Sequence, residues 1–438
     1  MPSRPEDRWY ERPIAPSLAI VLICGVAVAV RPEAPFRGMD IVEESRWESA
    51  QIAYSLFAGH GFSSPFHSAQ SGPTAWFPPL YVWITAAFYR LFGVYTLGFM
   101  LAMRPLNIAF VALNAILIFR IADRCFGRNC AVLASWTWAL LPYALLSAPG
   151  ALTIPFDASY LLLGWYFAYS SFLLTLLFFL TLRLEDTPSL FAWTAYGLVW
   201  GIAALSNPAL LAFFPVAAWF VVRRRLAPRS RLALAALIFA VVVTPWIIRN
   251  SLTFQRPTFI RDNLGAELRA GNCEWCEGQS FPATYPALGR RELQNFVHLG
   301  ERQFIDIETR KAIDFISQNP GRFIVLCFRR AIYFWAGPPL SSSSHPALSG
   351  FRNSLYLLSS LLAFAGLWLA YRNRSPYAGL FAGLILLFPL VYYATFTTDE
   401  YRIPIEPVLL ILATYVVTET VTSPLHMACK QHSPRTIE

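Results

Sequence analysis

Residues 189–250 read SLFAWTAYGLVWGIAALSNPALLAFFPVAAWFVVRRRLAPRSRLALAALIFAVVVTPWIIRN. Three apolar runs, roughly 189–205, 208–222 and 231–248, are separated by Asn207-Pro208 and by Arg223-Arg224-Arg225 with Arg229 and Arg231. Runs of this length approach the ~20 residues that cross a bilayer core. A helix lets a single lipid-embedded segment pair its own backbone groups. The arginine cluster then sets direction, because Lys and Arg collect in the cytoplasmic loops of membrane proteins.

The rest of the chain repeats this pattern. Of 438 residues 56% are hydrophobic and only 14% charged, against ~25% charge in a soluble protein. Further spans at roughly 14–30, 97–121, 130–147, 160–182, 354–371, 376–396 and 403–422 bring the total to ten. The first follows Arg4, Arg8 and Arg12 and carries a signal-like Ala27-Val28-Ala29; it is read as an uncleaved span. Two other apolar stretches are expected to lie flat at the interface. Trp76–Phe92 opens on Pro78-Pro79, and Phe323–Trp335 contains Arg329-Arg330, each costing ~2.5–3.5 kcal/mol at a bilayer centre. Arg124/Arg128, the Arg223–Arg231 cluster, Arg372/Arg374 and Lys430/Arg435 then share the cytoplasmic side with both termini. The net charge of +9 does not point to nucleic acid, since Lys occurs only at 311 and 430 and most Arg residues fall between spans.

The predicted fold is an all-α polytopic membrane protein of about ten transmembrane helices with interfacial helices and one large outer loop. Its expected division is a membrane module 1–248, including a first outer loop 31–96, then a large outer loop 249–353 and C-terminal helices and tail 354–438. With no appended soluble domain, function is expected at the outer face.

Two polar sets gather there. Asp40, Glu43, Glu44 and Glu48 follow the first span, Asp157 ends another, and Asp399-Glu400-Tyr401-Arg402 ends the ninth. Acids beside a membrane are costly unless used; an ordinary solvated loop is the alternative. The second set is Arg249-Asn250 after Pro245-Trp246, then Arg261, Asp262, Asn263 and Gly271-Asn272. Arginine suits bidentate phosphate binding, whereas snorkelling to lipid headgroups is the competing reading.

Cys273-Glu274-Trp275-Cys276 is half of a zinc-site spacing without its second half, so a local disulfide in an oxidising compartment is expected. His60 and His67 flank a Gly/Ser-rich turn near the acids and leave a divalent metal ion open as a cofactor, with no ligand set defined. Glu44–Gly59 places Trp47, Ala50/Gln51, Tyr54 and Phe57/Ala58 at helical spacing, an amphipathic surface helix ended by Gly59 and Gly61.

Asp40 to Gly61, the run Gly72 to Tyr81 leading to Leu91-Phe92-Gly93, Pro245 to Asn250 with Gly271-Asn272, Asn319-Pro320, and Tyr401 to Pro407 follow in order over nearly the whole chain. Together they resemble bacterial glycosyltransferase family 39 proteins of the GT-C superfamily, whose relatives include protein O-mannosyltransferases and lipid A aminoarabinose transferases. The resemblance implies a GT-C-type bundle and inverting transfer of a sugar from a polyprenyl-phosphate donor. The acceptor would be a hydroxyl of a lipid, glycan or protein at the outer face of a bacterial inner membrane. It also implies an acid in the first outer loop as base. Glu43-Glu44 stands where the family usually has an Asp-Glu-like pair, with Asp40 upstream, so the base stays open among three. Glu44 is preferred for its fifteen-residue spacing to Gly59.

Asp157 resembles a second acid of the aminoarabinose transferases. Phe77 replaces a Lys those enzymes carry, so an Arg must hold the donor phosphate, with Arg249, Arg402 and Arg261 as candidates. Trp47, Tyr81, Asn250 and Tyr401 are expected to contact substrate. Two rivals remain: a transporter or flippase of lipid-linked sugars, whose polar groups usually lie at midplane, and a non-catalytic lipid-linked-sugar binder.

Overall fold

Apolar runs become helices whose ends coincide with local stop signals. Thr96 accepts the Phe99 N–H at 3.1 Å to start the Leu97–Phe126 helix, and Gly127 ends it with φ of 90°. The chain turns at once into Arg128–Leu146. Ser189 caps Leu190–Ser206 by accepting the Ala192 N–H at 3.2 Å. Ile14–Val30, Tyr166–Arg183, Arg229–Phe254 and Pro346–Arg372 fall on expected spans.

Prolines break two others. The span at 208–222 starts as a 3-10 turn, Pro208–Phe213, before Phe214–Arg223. That at 376–396 divides at Phe388-Pro389 into Ala378–Leu387 and Leu390–Ala394. A 3-10 turn, Asp399–Ile405, leads into the Glu406–Gln431 helix.

This computed structural model describes residues 8–30, 48–66, 71–146, 166–186, 189–226, 228–339 and 346–431. Among the described residues there is no strand beyond the isolated bridge of Ser63 with Pro73. Leu97–Phe126, Arg229–Phe254, Gly350–Arg372 and Glu400–Val421 are long and apolar enough to cross a membrane, and five shorter apolar helices accompany them. The chain is an all-α polytopic protein.

Small residues let the helices approach. A methyl group on Gly197 would overlap the Ala235 carbonyl oxygen, one on Gly201 would crowd Val242, and one on Gly366 would overlap the Leu412 carbonyl oxygen. At one end of the bundle several of the basic loops converge. Arg124 pairs with Glu185 at 2.8 Å, the Tyr377 hydroxyl donates to the same carboxylate at 3.1 Å, and Arg224 donates to Pro376 O at 3.2 Å.

The polar segments form a cap on the other end. It contains the helices Glu48–Phe57, Leu264–Gly271, Arg290–Leu299 and Glu301–Gln318. The apolar stretches flagged as interfacial are the helices Pro79–Phe92 and Pro320–Ala336. The latter exposes Ile324, Val325, Phe328 and Ile332 while Arg330 is buried. The cap has its own core, Phe66, Trp76, Ala266, Phe296, Phe304 and Ile305, with Trp76 edge-on to Phe66 at 4.9 Å and to Phe296 at 5.6 Å. That core draws on both 31–96 and 249–353.

Arg330 joins cap to bundle. It donates to Tyr393 O and Ala394 O at 3.0 Å each, to Asn272 Oδ1 at 3.1 Å and to Gly271 O. The approach there is so close that a Cβ on Gly271 would overlap the Thr395 carbonyl oxygen.

Candidate functional site

A cavity of about 450 Å³ lies where cap meets bundle. Its polar wall carries Glu48 from the start of the Glu48–Phe57 helix, Arg261 and Asn263 from the loop after Arg229–Phe254, Glu267 one helical turn beyond Asn263, and Tyr285. Its more apolar wall carries Phe167, Leu387 and Val391 from the bundle beside the polar Asn207 and Thr395, with Phe259 and Leu264 also lining it. Tyr401 also faces it and stacks on Tyr392 at 4.4 Å between centroids.

Each polar group in the wall is oriented by a neighbour. The Tyr285 hydroxyl donates to Glu48 Oε1, and Trp76 Nε1 donates to the Tyr285 oxygen at 3.4 Å. Burial raises the Glu48 carboxyl above its usual range, with the Tyr285 hydrogen bond opposing. Asn263 Nδ2 donates to Glu267 Oε1 at 2.7 Å, and an Arg261 terminal nitrogen lies 3.7 Å from the same oxygen. Burial pushes Glu267 up to about 7, Arg261 working against the shift and Glu48 adding to it. Arg261 Nε donates to Trp76 O at 3.0 Å, and its guanidinium lies 5.5 Å over the Phe77 ring. With its side chain 27% exposed, Arg261 keeps terminal N–H groups near the cavity. A buried carboxyl pushed up toward neutrality with a guanidinium beside it is a pattern that clusters at functional sites.

The residues singled out from the sequence separate into three groups. Asp40, Glu43, Glu44, Trp47 and Asp157 lie outside the described residues; the described chain enters the cavity at Glu48, four residues after Glu44. Arg261 and Tyr401 line the cavity. The others are engaged within the fold. Arg249 donates to Thr74 O at 2.7 Å, Phe62 O at 2.9 Å and Asn250 Oδ1 at 3.0 Å. Asn250 is fully buried and holds Phe259 O and Ile260 O at 3.0 and 3.3 Å, which fixes the approach to Arg261. Arg402, 1% exposed, pairs with Glu406 at 2.6 Å and donates to Ser359 at 2.6 Å, Ser360 at 2.9 Å, Trp335 O at 3.2 Å and Tyr356 O at 3.3 Å. Arg249 thus ties its helix to the loop segments at 62 and 74, and Arg402 ties helices to one another, whereas Arg261 lines the cavity. Tyr81 is buried in the bundle with its ring 6.5 Å from that of Tyr169.

Glu267 and Tyr285 were not foreseen, and Glu48 was noted only as one acid of a loop. The one local signal for Glu267 is its position four residues after Asn263, where helical spacing brings the two side chains together. Cys273 and Cys276 form a buried disulfide beside Leu326. His60 is exposed, His67 is outside the described residues, and among the described residues no group of three or more His, Cys, Asp or Glu converges as metal ligands.

No family model matches the sequence, and no curated protein matches it. Among solved structures the chain is similar to the oligosaccharyltransferase of Archaeoglobus fulgidus in complex with Zn and sulfate, at 13% identity and a TM-score of 0.48, over 93% of this chain and 50% of that one. It is similar to the same organism's AglB with an inhibitory peptide and a dolichol-phosphate, at 14% identity and 0.46, over 96% and 52%. It is also similar to ArnT from Cupriavidus metallidurans bound to undecaprenyl phosphate, at 16% identity and 0.35, over 95% and 82%. The chain thus spans about half the length of the archaeal enzyme.

Proposed function

We propose that this protein is an integral-membrane glycosyltransferase that moves a sugar from a polyprenyl-phosphate donor to an acceptor hydroxyl at the outer face of a bacterial cytoplasmic membrane. The observation that carries the reading is the mixed lining of the cavity, buried carboxyls and Arg261 together with apolar Phe167, Leu387 and Val391. A lipid-phosphate sugar has the same mixed character, a polar head on a long apolar tail.

In this reading the tail lies along the apolar wall, and Arg261 holds the donor phosphate. A carboxylate of the segment leading into Glu48, with Glu44 preferred over Glu43 and Asp40, takes the proton of the acceptor hydroxyl. The acceptor oxygen bonds to the sugar's anomeric carbon from the face opposite the phosphate, whose bond to that carbon breaks, and the configuration inverts. Negative charge grows on the departing lipid phosphate, where Arg261 stabilises it. Asp157 orients the acceptor, and Tyr401 offers a ring for the sugar to stack on.

The test incubates purified protein with a panel of polyprenyl-phosphate hexoses and pentoses and measures lipid phosphate released in the presence of candidate acceptors. Glu44→Gln is expected to lose ~10²–10⁴ in turnover with donor affinity nearly retained. Near-normal transfer by single variants at 40, 43 and 44 removes the base from this loop. Donor binding and translocation without release favours a flippase instead.

A further inference from the structure

Glu301 lies outside the cavity lining, at the first position of the Glu301–Gln318 helix, and is 3% exposed. An acid there is ordinarily explained by the partial positive charge of its own helix end. This side chain instead reaches a different segment. Its Oε1 accepts the Ala75 N–H at 2.6 Å and its Oε2 accepts the Thr74 hydroxyl, whose oxygen in turn accepts the Trp76 N–H at 2.9 Å. One carboxyl therefore organises three consecutive residues.

The same turn is held from two other directions. Arg249 donates to Thr74 O at 2.7 Å, and the Asp262 N–H donates to Ala75 O at 3.1 Å. What the turn then presents is the cation's seat: Trp76 O receives Arg261 Nε at 3.0 Å, and Phe77 lies beneath the guanidinium. Beyond this seat, an Arg261 terminal nitrogen lies 3.7 Å from Glu267 Oε1.

We infer that Glu301 is a positioning residue for the cavity: by fixing the turn at 74–76 it sets the direction of Arg261, and so the contact that Arg261 makes with a lipid phosphate. This rests on the reading of the cavity as a donor site. Protonation adds a second handle. Burial pushes the Glu301 carboxyl up to about 8, against the hydrogen bonds from Thr74 and Ala75, with Asp262 adding to the shift and Arg249 opposing it. Asp262 is itself paired with Arg256 at 2.5 Å, and residues 74–76 bring no charge of their own. Because the folded value lies above the unfolded one, the stability linked to this group is full below about pH 4.5 and is lost as the pH rises through about 8. Ionisation strengthens the two hydrogen bonds that the carboxyl accepts, so it is the desolvation cost of the buried charge that should loosen the turn, and Arg261's seat with it, on the alkaline side.

The experiment uses full-length protein in nanodiscs, as wild type, Glu301→Gln and Glu301→Ala, between pH 6 and 9. Two quantities are read: hydrogen-exchange protection of the peptide spanning 73–77, and affinity for undecaprenyl phosphate as the probe. Glu301→Ala should lose roughly ten-fold in each, the scale of leaving one buried donor without its partner. Glu301→Gln, an isostere of the neutral acid, should keep both at pH 6 and abolish the wild type's fall between pH 7 and 9. Should Glu301→Ala fail to fold, Thr74→Val removes one of the two contacts and carries the same expectation at reduced size. Unchanged protection in the variants overturns the tie, and lost protection with unchanged affinity overturns the positioning role. If wild type does not bind undecaprenyl phosphate, the donor-site reading falls, and positioning with it, while the exchange data still report whether Glu301 holds the turn.

Discussion

The bundle and the cap are held by opposite means. In the bundle, backbones close on one another where side chains are missing, at Gly197 against Ala235, Gly201 against Val242 and Gly366 against Leu412. In the cap, charged side chains buried under the surface hold main-chain groups: Arg249 on Phe62 and Thr74, Glu301 on Ala75, Arg330 on Gly271, Tyr393 and Ala394. The physical reason lies in what each region must satisfy. Helices in lipid already pair their own backbone and gain from close packing. A cap of short helices and loops carries many main-chain groups that pair with nothing local, and buried ones must find partners. The lesson is that an arginine at this face is first a candidate for holding a loop, and the direction of its guanidinium decides whether it also meets a ligand.

The sharpest test of that contrast is Arg402→Ala. It leaves the Glu406 carboxyl without its cation and releases contacts to two other helices, so a loss of about 3–5 kcal/mol is expected. Thermal unfolding in detergent, with and without undecaprenyl phosphate, measures it. Unaltered stability with weakened donor binding would return Arg402 to a ligand role and break the comparison. Arg261→Ala is expected to behave the other way, lowering transfer by roughly 10–100-fold, or about 1.5–3 kcal/mol, while the melting temperature hardly moves. A large fall in stability would make Arg261 one more tie. The last test belongs to the bundle: Gly201→Ala should cost about 1–3 kcal/mol, the range for overpacking, since the new methyl group meets Val242 at its Cγ1 and Cβ. A loss as large as that of Arg402→Ala would show that the bundle depends on close packing as strongly as the Arg402 junction does on its charge.

Most of the architecture was legible because lipid imposes a length and a composition that few other constraints overwrite. The first expected span, 14–30, coincides with the Ile14–Val30 helix, and Pro78-Pro79 marked the start of Pro79–Phe92. What local sequence did not reveal was the break at Phe388-Pro389 and the sharing of one core by two distant loops. Within the site, Arg261 and Tyr401 were legible as polar or aromatic residues next to a span end. Arg249 and Arg402 carry the same signature, yet their direction is set by partners far along the chain, such as Thr74, 175 residues from Arg249. Glu267 and Glu301 stand on helices of the large outer loop and Tyr285 follows a 3-10 turn there, and which segment each side chain meets depends on tertiary contacts. For Asp40, Glu43, Glu44, Trp47 and Asp157, outside the described residues, only the sequence speaks.

Thr74 and Glu301 are 227 residues apart in the chain. At a ribosomal rate of ~5–20 residues per second, roughly 10–45 s separate the emergence of one from that of the other. Throughout that interval Trp76 and its neighbours await the segment that will cover them, with several helices still to be inserted. Assembly of the cavity is therefore among the late events of biogenesis. A pulse-labelled chain should become protease-resistant in its helices before it does at residues 74–77, and a ribosome stalled short of position 301 should hold an inserted but unfinished protein.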